Sequence, residues 1–152
     1  NSSGKQLDPL VTTQWMELIK PDENQNKESK KVAIIDADQS FSSELQAHLK
    51  RIGAEVQIYQ DGQTAFSAMK RNRPDLIVSE VLLSKLDGFA LAARIRADQI
   101  LKQTPLVFVS ESQRSEHSTK ALQLGAEDFI SKQSEPQFIV AKLERILKNS
   151  AA

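Results

Sequence analysis

Cysteine is absent from the 152 residues of this sequence, and histidine occurs only twice. The absence of cysteine excludes disulfide bonds and thiol catalysis. It is also typical of proteins in a reducing compartment, so we expect a cytoplasmic location. His48 and His117 have no cysteine partners and do not favour a zinc site. We interpret both as helix-surface residues without a catalytic role.

The sequence also lacks an excess of charge of either sign. Lys and Arg total 20, and Asp and Glu total 20, so the composition carries no basic footprint for nucleic acid or for an anionic membrane surface. No apolar run approaches the roughly 20 residues that a membrane-spanning helix needs. We therefore expect no direct binding to nucleic acid and no insertion into a membrane.

Glycine-rich phosphate loops are missing as well. Neither the G-x-G-x-x-G pattern of dinucleotide-binding proteins nor the G-x-x-x-x-G-K-[ST] pattern of P-loop proteins occurs. No pairing of a nucleophile with a base stands out either. These absences argue against a small flavodoxin-like enzyme or flavin-binding protein, and we expect no cofactor.

The length of the chain suits one domain with short tails. We predict an N-terminal tail over residues 1–30, a domain over residues 31–149 and a C-terminal tail over residues 150–152. In the first tail, apolar residues recur at helical spacing over about residues 9–20, and a polar, charged linker follows. This short helix either packs on neighbouring structure or serves in dimerisation or partner binding.

The predicted domain alternates between short apolar runs and amphipathic segments. The runs predict strands at Val32–Ile35, Glu55–Tyr59, Leu76–Ser79, Leu106–Val109 and Asp128–Ile130. The amphipathic segments predict helices at Ser40–Ile52, Gln63–Arg71, Phe89–Ala97, Ser115–Leu124 and Glu135–Leu147. In the last helix we place Phe138 on the buried side. Strict alternation favours an α/β fold, a (βα)5 doubly wound parallel sheet with the flavodoxin-like strand order 2-1-3-4-5.

Polar side chains follow four of the five predicted strands. Asp36 and Asp38, with Ala37 between them, follow the first strand, and Glu80 follows the third. Ser110 and Glu111 follow the fourth strand, and Lys132 follows the fifth. In the predicted order these four strands are neighbours, and ligands of open parallel sheets bind at the carboxyl ends of strands. Carboxylates there suit a divalent metal ion, whereas the lysine and the hydroxyl suit an anion.

Four segments occur in this order along the predicted domain: IIDADQ, PDLIVSEVLLSKLDG, TPLVFVSES and GAEDFISKQ. Together they resemble the receiver domain of two-component response regulators, the CheY-like superfamily, and the resemblance spans residues 31–149. It implies that Asp36 belongs to the family's metal-binding acidic pair and that Glu80 stands at the phosphoacceptor position.

The same resemblance implies a switch built from Ser110, Phe129 and Lys132. In ordinary receivers the hydroxyl turns toward the acyl phosphate and the aromatic residue moves inward. These movements reshape the face formed by the fourth helix, the fifth strand and the fifth helix. We therefore expect this face to contact protein partners or an attached effector domain, and a homodimer is a further alternative.

The sequence departs from the family pattern at the residues that carry its chemistry. Glu80 replaces the acceptor aspartate, and a misplacement of ~1 Å can cost a reaction ~100-fold in rate. Ala37 replaces one acid of the metal-binding pair, and Asp38 lies one position away, so its side chain should point elsewhere. Glu111, bulky and negative, stands where the family prefers a small residue, and we expect it to block the pocket.

These departures predict a pseudo-receiver, a non-enzymatic signalling module that acts through protein contacts and is not phosphorylated in the standard way. The alternative is a phosphorylation-competent receiver with an unusual acceptor, in which Asp36 and Glu80 hold Mg²⁺ weakly. If Asp36 is not a metal ligand, it is a structural partner of Lys132. Glu80 itself either imitates the phosphorylated acid or fixes an inactive fold.

Overall fold

The computed structural model of the protein describes residues 29–149. The helix predicted over about residues 9–20 and the tail over residues 150–152 therefore lie outside the described residues. The division of the chain into these three segments stays a prediction.

Five strands alternate with five helices in the described part of the chain. The strands are β1 (Lys31–Ile35), β2 (Glu55–Tyr59), β3 (Leu76–Ser79), β4 (Leu106–Ser110) and β5 (Asp128–Ser131). The helices are α1 (Gln39–Arg51), α2 (Gly62–Arg71), α3 (Gly88–Ala97), α4 (Ser115–Gln123) and α5 (Pro136–Asn149). No helix among residues 29–149 is long and apolar enough to cross a membrane.

The strands form one parallel sheet in the order β2-β1-β3-β4-β5. In strand numbers this order is 2-1-3-4-5, which confirms the predicted doubly wound, flavodoxin-like fold. Since all the strands run in the same direction, their carboxyl ends share one edge of the sheet.

Aspartate is the N-cap residue of three of the helices. Asp38, Asp61 and Asp87 cap α1, α2 and α3, and each accepts a hydrogen bond from the backbone N–H three residues later, at 3.2, 2.8 and 2.9 Å. Such a cap satisfies one of the free N–H groups of a helix start, and its loss costs about 1 kcal/mol. These caps fix where the chain turns from the sheet edge into a helix.

The sheet is covered on both faces, so successive strand residues enter different cores. Ile34 and Val78 pack on the side of α1 and α5. Ile35 and Ile77 pack on the other side, against α2, α3 and α4. A strand buried on both faces is apolar without alternation, which is why the short apolar runs predicted strands.

One predicted core residue is exposed. Phe138 of α5 is 50% exposed, and the Lys142 ammonium lies 5.0 Å from its ring centroid. The buried stripe of α5 runs through Ile139, Leu143 and Leu147. Phe138 precedes that stripe by one residue, a rotation of roughly 100° around the helix, so the prediction that it faces the core was wrong.

The loop from β3 to α3 is held tightly at Gly88. The Gly88 N–H donates to the Val81 carbonyl at 2.8 Å. A Cβ at residue 88 would lie 2.8 Å from Val81 Cα and 3.0 Å from the Phe108 ring, and closer still to the Glu80 carbonyl oxygen. The backbone on either side of Glu80 can therefore approach α3 this closely only because residue 88 is glycine.

We predict that Gly88→Ala destabilises the domain by about 1–3 kcal/mol, because the added methyl group overpacks the contact with Glu80 and Val81. Helix propensity alone predicts the opposite sign, a stabilisation of up to about 1 kcal/mol. Chemical denaturation measures the difference. Ser43→Ala, at an exposed position of α1, is the control and should change stability little. Unchanged or increased stability of Gly88→Ala would contradict the close packing at this loop.

Candidate functional site

Four neighbouring strand ends bring the predicted site residues together. The Glu80 N–H donates to the Ile35 carbonyl at 2.9 Å, and the Lys132 N–H donates to the Ser110 carbonyl at 2.9 Å. These backbone bonds continue the ladders of the sheet by one residue. They place Glu80 in the centre of the carboxyl edge, with Lys132 on one side.

The Glu80 carboxylate accepts hydrogen bonds from five donors. Its Oε2 atom accepts from the backbone N–H groups of Val81 at 2.6 Å and Leu82 at 3.3 Å. The same oxygen accepts the Ser110 hydroxyl. Its Oε1 atom accepts from the Glu111 N–H at 3.1 Å and from Lys132 Nζ at 3.2 Å. The side chain is 5% exposed, so this buried charge is stabilised by protein groups in place of water.

The Lys132 ammonium lies between two carboxylates. It is 2.7 Å from Asp36 Oδ2 and 3.2 Å from Glu80 Oε1. The ring of Phe41 covers it, with the ring centroid 4.8 Å from Nζ, and the lysine side chain is only 6% exposed. The Asp36 side chain is equally buried, and its Oδ1 atom accepts the Asp38 N–H at 2.9 Å.

The pKa values follow from these contacts. Burial alone would raise the pKa of Glu80, but the hydrogen bonds from Ser110 and from the backbone outweigh it, and the pKa lies below its ordinary value. Burial raises the pKa of Asp36, which has fewer donors, despite its contact with Lys132. Burial would lower the pKa of Lys132, but the bonds to Asp36 and Glu80 outweigh it and raise that pKa.

Ser110 connects Glu80 to the loop that follows β4. Its hydroxyl donates to Glu80 and accepts the Ser112 N–H at 3.0 Å. The Ser112 hydroxyl in turn is hydrogen bonded to His117 Nδ1 of α4 at 2.6 Å. The carboxylate is therefore linked to α4 by a continuous series of hydrogen bonds.

A row of aromatic rings runs beside these hydrogen bonds. The half-buried Phe129 lies 6.3 Å from Phe108, measured between ring centroids. Phe108 lies 5.5 Å from Phe89, and Phe89 lies 5.5 Å from His117. Phe89 is thus half-buried between the core and α4.

Three further predicted site residues lie at the rim. Ala37 is exposed and offers no ligand atom. The Asp38 side chain is exposed and caps α1 by accepting the Phe41 N–H. Glu111 is exposed, and its backbone N–H, not its carboxylate, reaches Glu80. A blocking role for the Glu111 side chain stays a prediction.

The residues present do not fit a Mg²⁺ ion. Such an ion prefers about six oxygen ligands in octahedral geometry, and its protein ligands are usually carboxylates. Here Ala37 supplies none, and the Lys132 ammonium already bridges Asp36 and Glu80. Among residues 29–149, no group of three or more acids or histidines is placed to hold a metal ion.

Sequence reasoning missed two contributors to this site. Phe41 of α1 was not among the predicted site residues, yet its ring covers Lys132. His117 was interpreted as a surface residue, yet it hydrogen bonds Ser112 and packs on Phe89. Its position as the third residue of a helix that follows a strand-end serine was the only available signal.

Comparison with known proteins identifies relatives of this domain. The model of the response regulator receiver domain family matches residues 32–144. The alkaline phosphatase synthesis transcriptional regulatory protein PhoP of Bacillus subtilis is 30% identical over 122 residues, which are 80% of this chain and 50% of PhoP. The phosphate regulon transcriptional regulatory protein PhoB of Pseudomonas aeruginosa is 25% identical over 121 residues, 80% of this chain and 53% of PhoB.

A solved structure agrees with the fold. The chemotaxis response regulator CheY4 of Vibrio cholerae superposes with a TM-score of 0.73 at 24% identity, covering 78% of this chain and 99% of CheY4. The present chain, by contrast, spans about half the length of the curated relatives it matches.

We predict that Glu80→Gln changes the pH dependence of stability. Because the pKa of Glu80 is lowered in the folded state, its ionisation stabilises the domain at neutral pH. That contribution is lost as the pH falls from the ordinary value of 4.5 through the lowered one. Chemical denaturation at pH values between about 7 and 3 should show that the free energy of unfolding falls less steeply with decreasing pH for Glu80→Gln than for wild type.

At neutral pH the same variant should be less stable by about 2–4 kcal/mol, because the new NH₂ group faces donors and leaves them unpaired. Glu44→Gln, on the exposed face of α1, is the matched control and should follow wild type. If the free energy of unfolding fell in parallel with pH for wild type and Glu80→Gln, the Glu80 carboxylate would not be accepting hydrogen bonds from these donors.

Proposed function

This chain belongs to the response regulator receiver domain family, and we propose that it is a receiver that signals without being phosphorylated, with Glu80 as its permanent anion. It would act through protein contacts and not through catalysis. The observation that carries the proposal is the Glu80 carboxylate with its five donors.

The hydrogen bonds of Glu80 support the proposed absence of phosphorylation. A phosphoryl group entering this pocket would need the backbone N–H groups, the Ser110 hydroxyl and the Lys132 ammonium as its ligands. Glu80 already binds all of them through its own two oxygens. Phosphorylation would therefore have to break the existing bonds before it could form new ones, in a pocket where the carboxylate is 5% exposed.

The absence of a second metal-binding acid, at Ala37, also supports the proposed absence of phosphorylation. In phosphoryl transfer, a bound metal ion neutralises charge on the transferring group. Asp36 and Glu80 are the only acids whose carboxylates meet at this point among the described residues, and both contact Lys132. The single positive charge of the lysine offsets only part of the charge of the two acids, and it cannot replace a metal ion that bridges donor and acceptor.

The orientation of Ser110 favours an active-like state over an inactive one. In the receivers that this chain resembles, the switch hydroxyl turns toward the acyl phosphate. Here the Ser110 hydroxyl points to the Glu80 carboxylate, and Phe129 packs toward Phe108. A carboxylate carries less charge than a phosphoryl group, which has about −1.5 to −2 and three acceptor oxygens, but its burial strengthens each bond it makes.

The surface that would carry the signal is the face formed by α4, β5 and α5. Leu122 of α4 is 57% exposed and Phe138 of α5 is 50% exposed, so each helix of this face carries an exposed apolar side chain that a partner could bury. We propose that the partner is an attached effector domain or a separate protein. The cytoplasmic location, the homodimer and the lack of nucleic-acid contacts stay predictions.

We predict that wild-type protein gains no phosphoryl group from a small-molecule donor with Mg²⁺, while Glu80→Asp/Ala37→Asp does. The double variant shortens the anion and restores the second acid, so that an acceptor and a metal site exist together. Intact-mass spectrometry would show a gain of about 80 Da. Glu80→Asp alone should be labelled weakly, because its metal site still lacks one carboxylate.

Glu80→Asn/Ala37→Asp is the matched control, since it restores the acid pair but offers no acceptor. It should stay unlabelled, which would place the adduct of the other variant on residue 80. A clear adduct on the wild-type chain would overturn the proposal and favour a receiver with an unusual acceptor. Peptide mapping would then identify that acceptor.

A further inference from the structure

A shallow apolar groove lies at the amino ends of the strands, opposite the end that carries Glu80 and close to the first described residues. It has a volume of about 110 Å³ and lies between the end of α1 and the last turns of α5. The side chains that line it are Ile52, Ala54, Leu147, Lys30, Glu144 and Lys148. Lys30 immediately precedes β1, so the groove adjoins the point where residues 1–28 join the domain.

The groove continues the core between the sheet, α1 and α5. Ala54 and Leu147 are 8% and 4% exposed and belong to that core. Ile52 is 39% exposed at the end of α1. A large apolar side chain laid against these three residues would cover Ile52 and extend the core, and burying a side chain of this size is favourable.

The preceding segment of the chain has the chemistry to fill the groove. Residues 9–20 carry an apolar stripe at helical spacing, formed by Leu10, Val11, Trp15, Leu18 and Ile19. A helix of this length is marginal alone in water and needs a surface to pack on. Residues 21–30 join it to β1, and ten residues extend to about 33 Å, which is ample for a groove that Lys30 itself lines.

We propose that residues 9–20 dock their apolar stripe in the groove lined by Ile52, Ala54 and Leu147 of the same chain. Tethering favours this occupant over a separate molecule, because a short linker gives an effective concentration in the millimolar range. The docked segment would lie at the end of the domain remote from Glu80, and the inference does not depend on the state of that site.

Trp15 reports on this docking directly, because it is the only tryptophan in the chain. In the wild-type chain we expect emission shifted to shorter wavelength and weak quenching by acrylamide, as for a tryptophan in an apolar contact. Ile52→Lys places a charge in the groove and should lower the docked-to-undocked ratio about tenfold. The emission should then shift to longer wavelength and quenching should increase.

Two control variants isolate the groove. Ile52→Val keeps an apolar side chain and should retain the wild-type emission. Leu122→Lys introduces the same charge at an exposed leucine of α4 and should also leave Trp15 unchanged. Ile52 lies at a half-exposed helix end, so far-ultraviolet circular dichroism should show that Ile52→Lys remains folded. A solvent-exposed Trp15 in wild type, or equal emission in wild type and Ile52→Lys, would overturn the proposal.

The absence of cysteine permits a second test that separates docking within one chain from docking between copies. In Leu18→Cys/Ile52→Cys, mild oxidation should form a disulfide within the monomer. When the single variants Leu18→Cys and Ile52→Cys are mixed, they should form no more covalent heterodimer than a control mixture of Leu18→Cys and Leu122→Cys. Preferential formation of that heterodimer, with no intramolecular bond in the double variant, would show exchange between two copies and contradict the proposal.

Discussion

The candidate site depends on one buried ammonium group held between two carboxylates. Lys132 lies within 2.7 Å of Asp36 and 3.2 Å of Glu80, and all three side chains are almost fully buried. Charges in such a place persist only when each is paired and hydrogen bonded. The pairing connects the segments that follow β1, β3 and β5 at one point. Its bonds outweigh burial and raise the pKa of Lys132, and they occupy carboxylate oxygens that a Mg²⁺ ion would need.

Much of this arrangement is predictable from sequence because strand ends in a parallel sheet converge. The apolar runs placed the strand ends within a residue or two, and topology then brought Asp36, Glu80, Ser110 and Lys132 to one edge. The backbone N–H groups of Val81, Leu82 and Glu111 escaped prediction, since main-chain donors carry no residue identity.

Other features depended on the exact rotation of a helix, which a short apolar pattern does not determine. Phe41 points toward both the core and the Lys132 ammonium. Phe138, one residue ahead of the buried stripe of α5, faces solvent instead. His117 could be placed on a helix but not against the Ser112 hydroxyl, because that contact depends on how the loop after β4 turns.

The proposed role of Glu80 as a permanent anion also bears on how long a signal would last. An acyl phosphate is hydrolysed, so an ordinary receiver returns to rest on a timescale set by its own chemistry. A carboxylate that belongs to the polypeptide is added at translation and removed only by proteolysis. In a receiver built this way, the cell would adjust the output through the copy number and lifetime of the protein, and the domain would report how much of it is present.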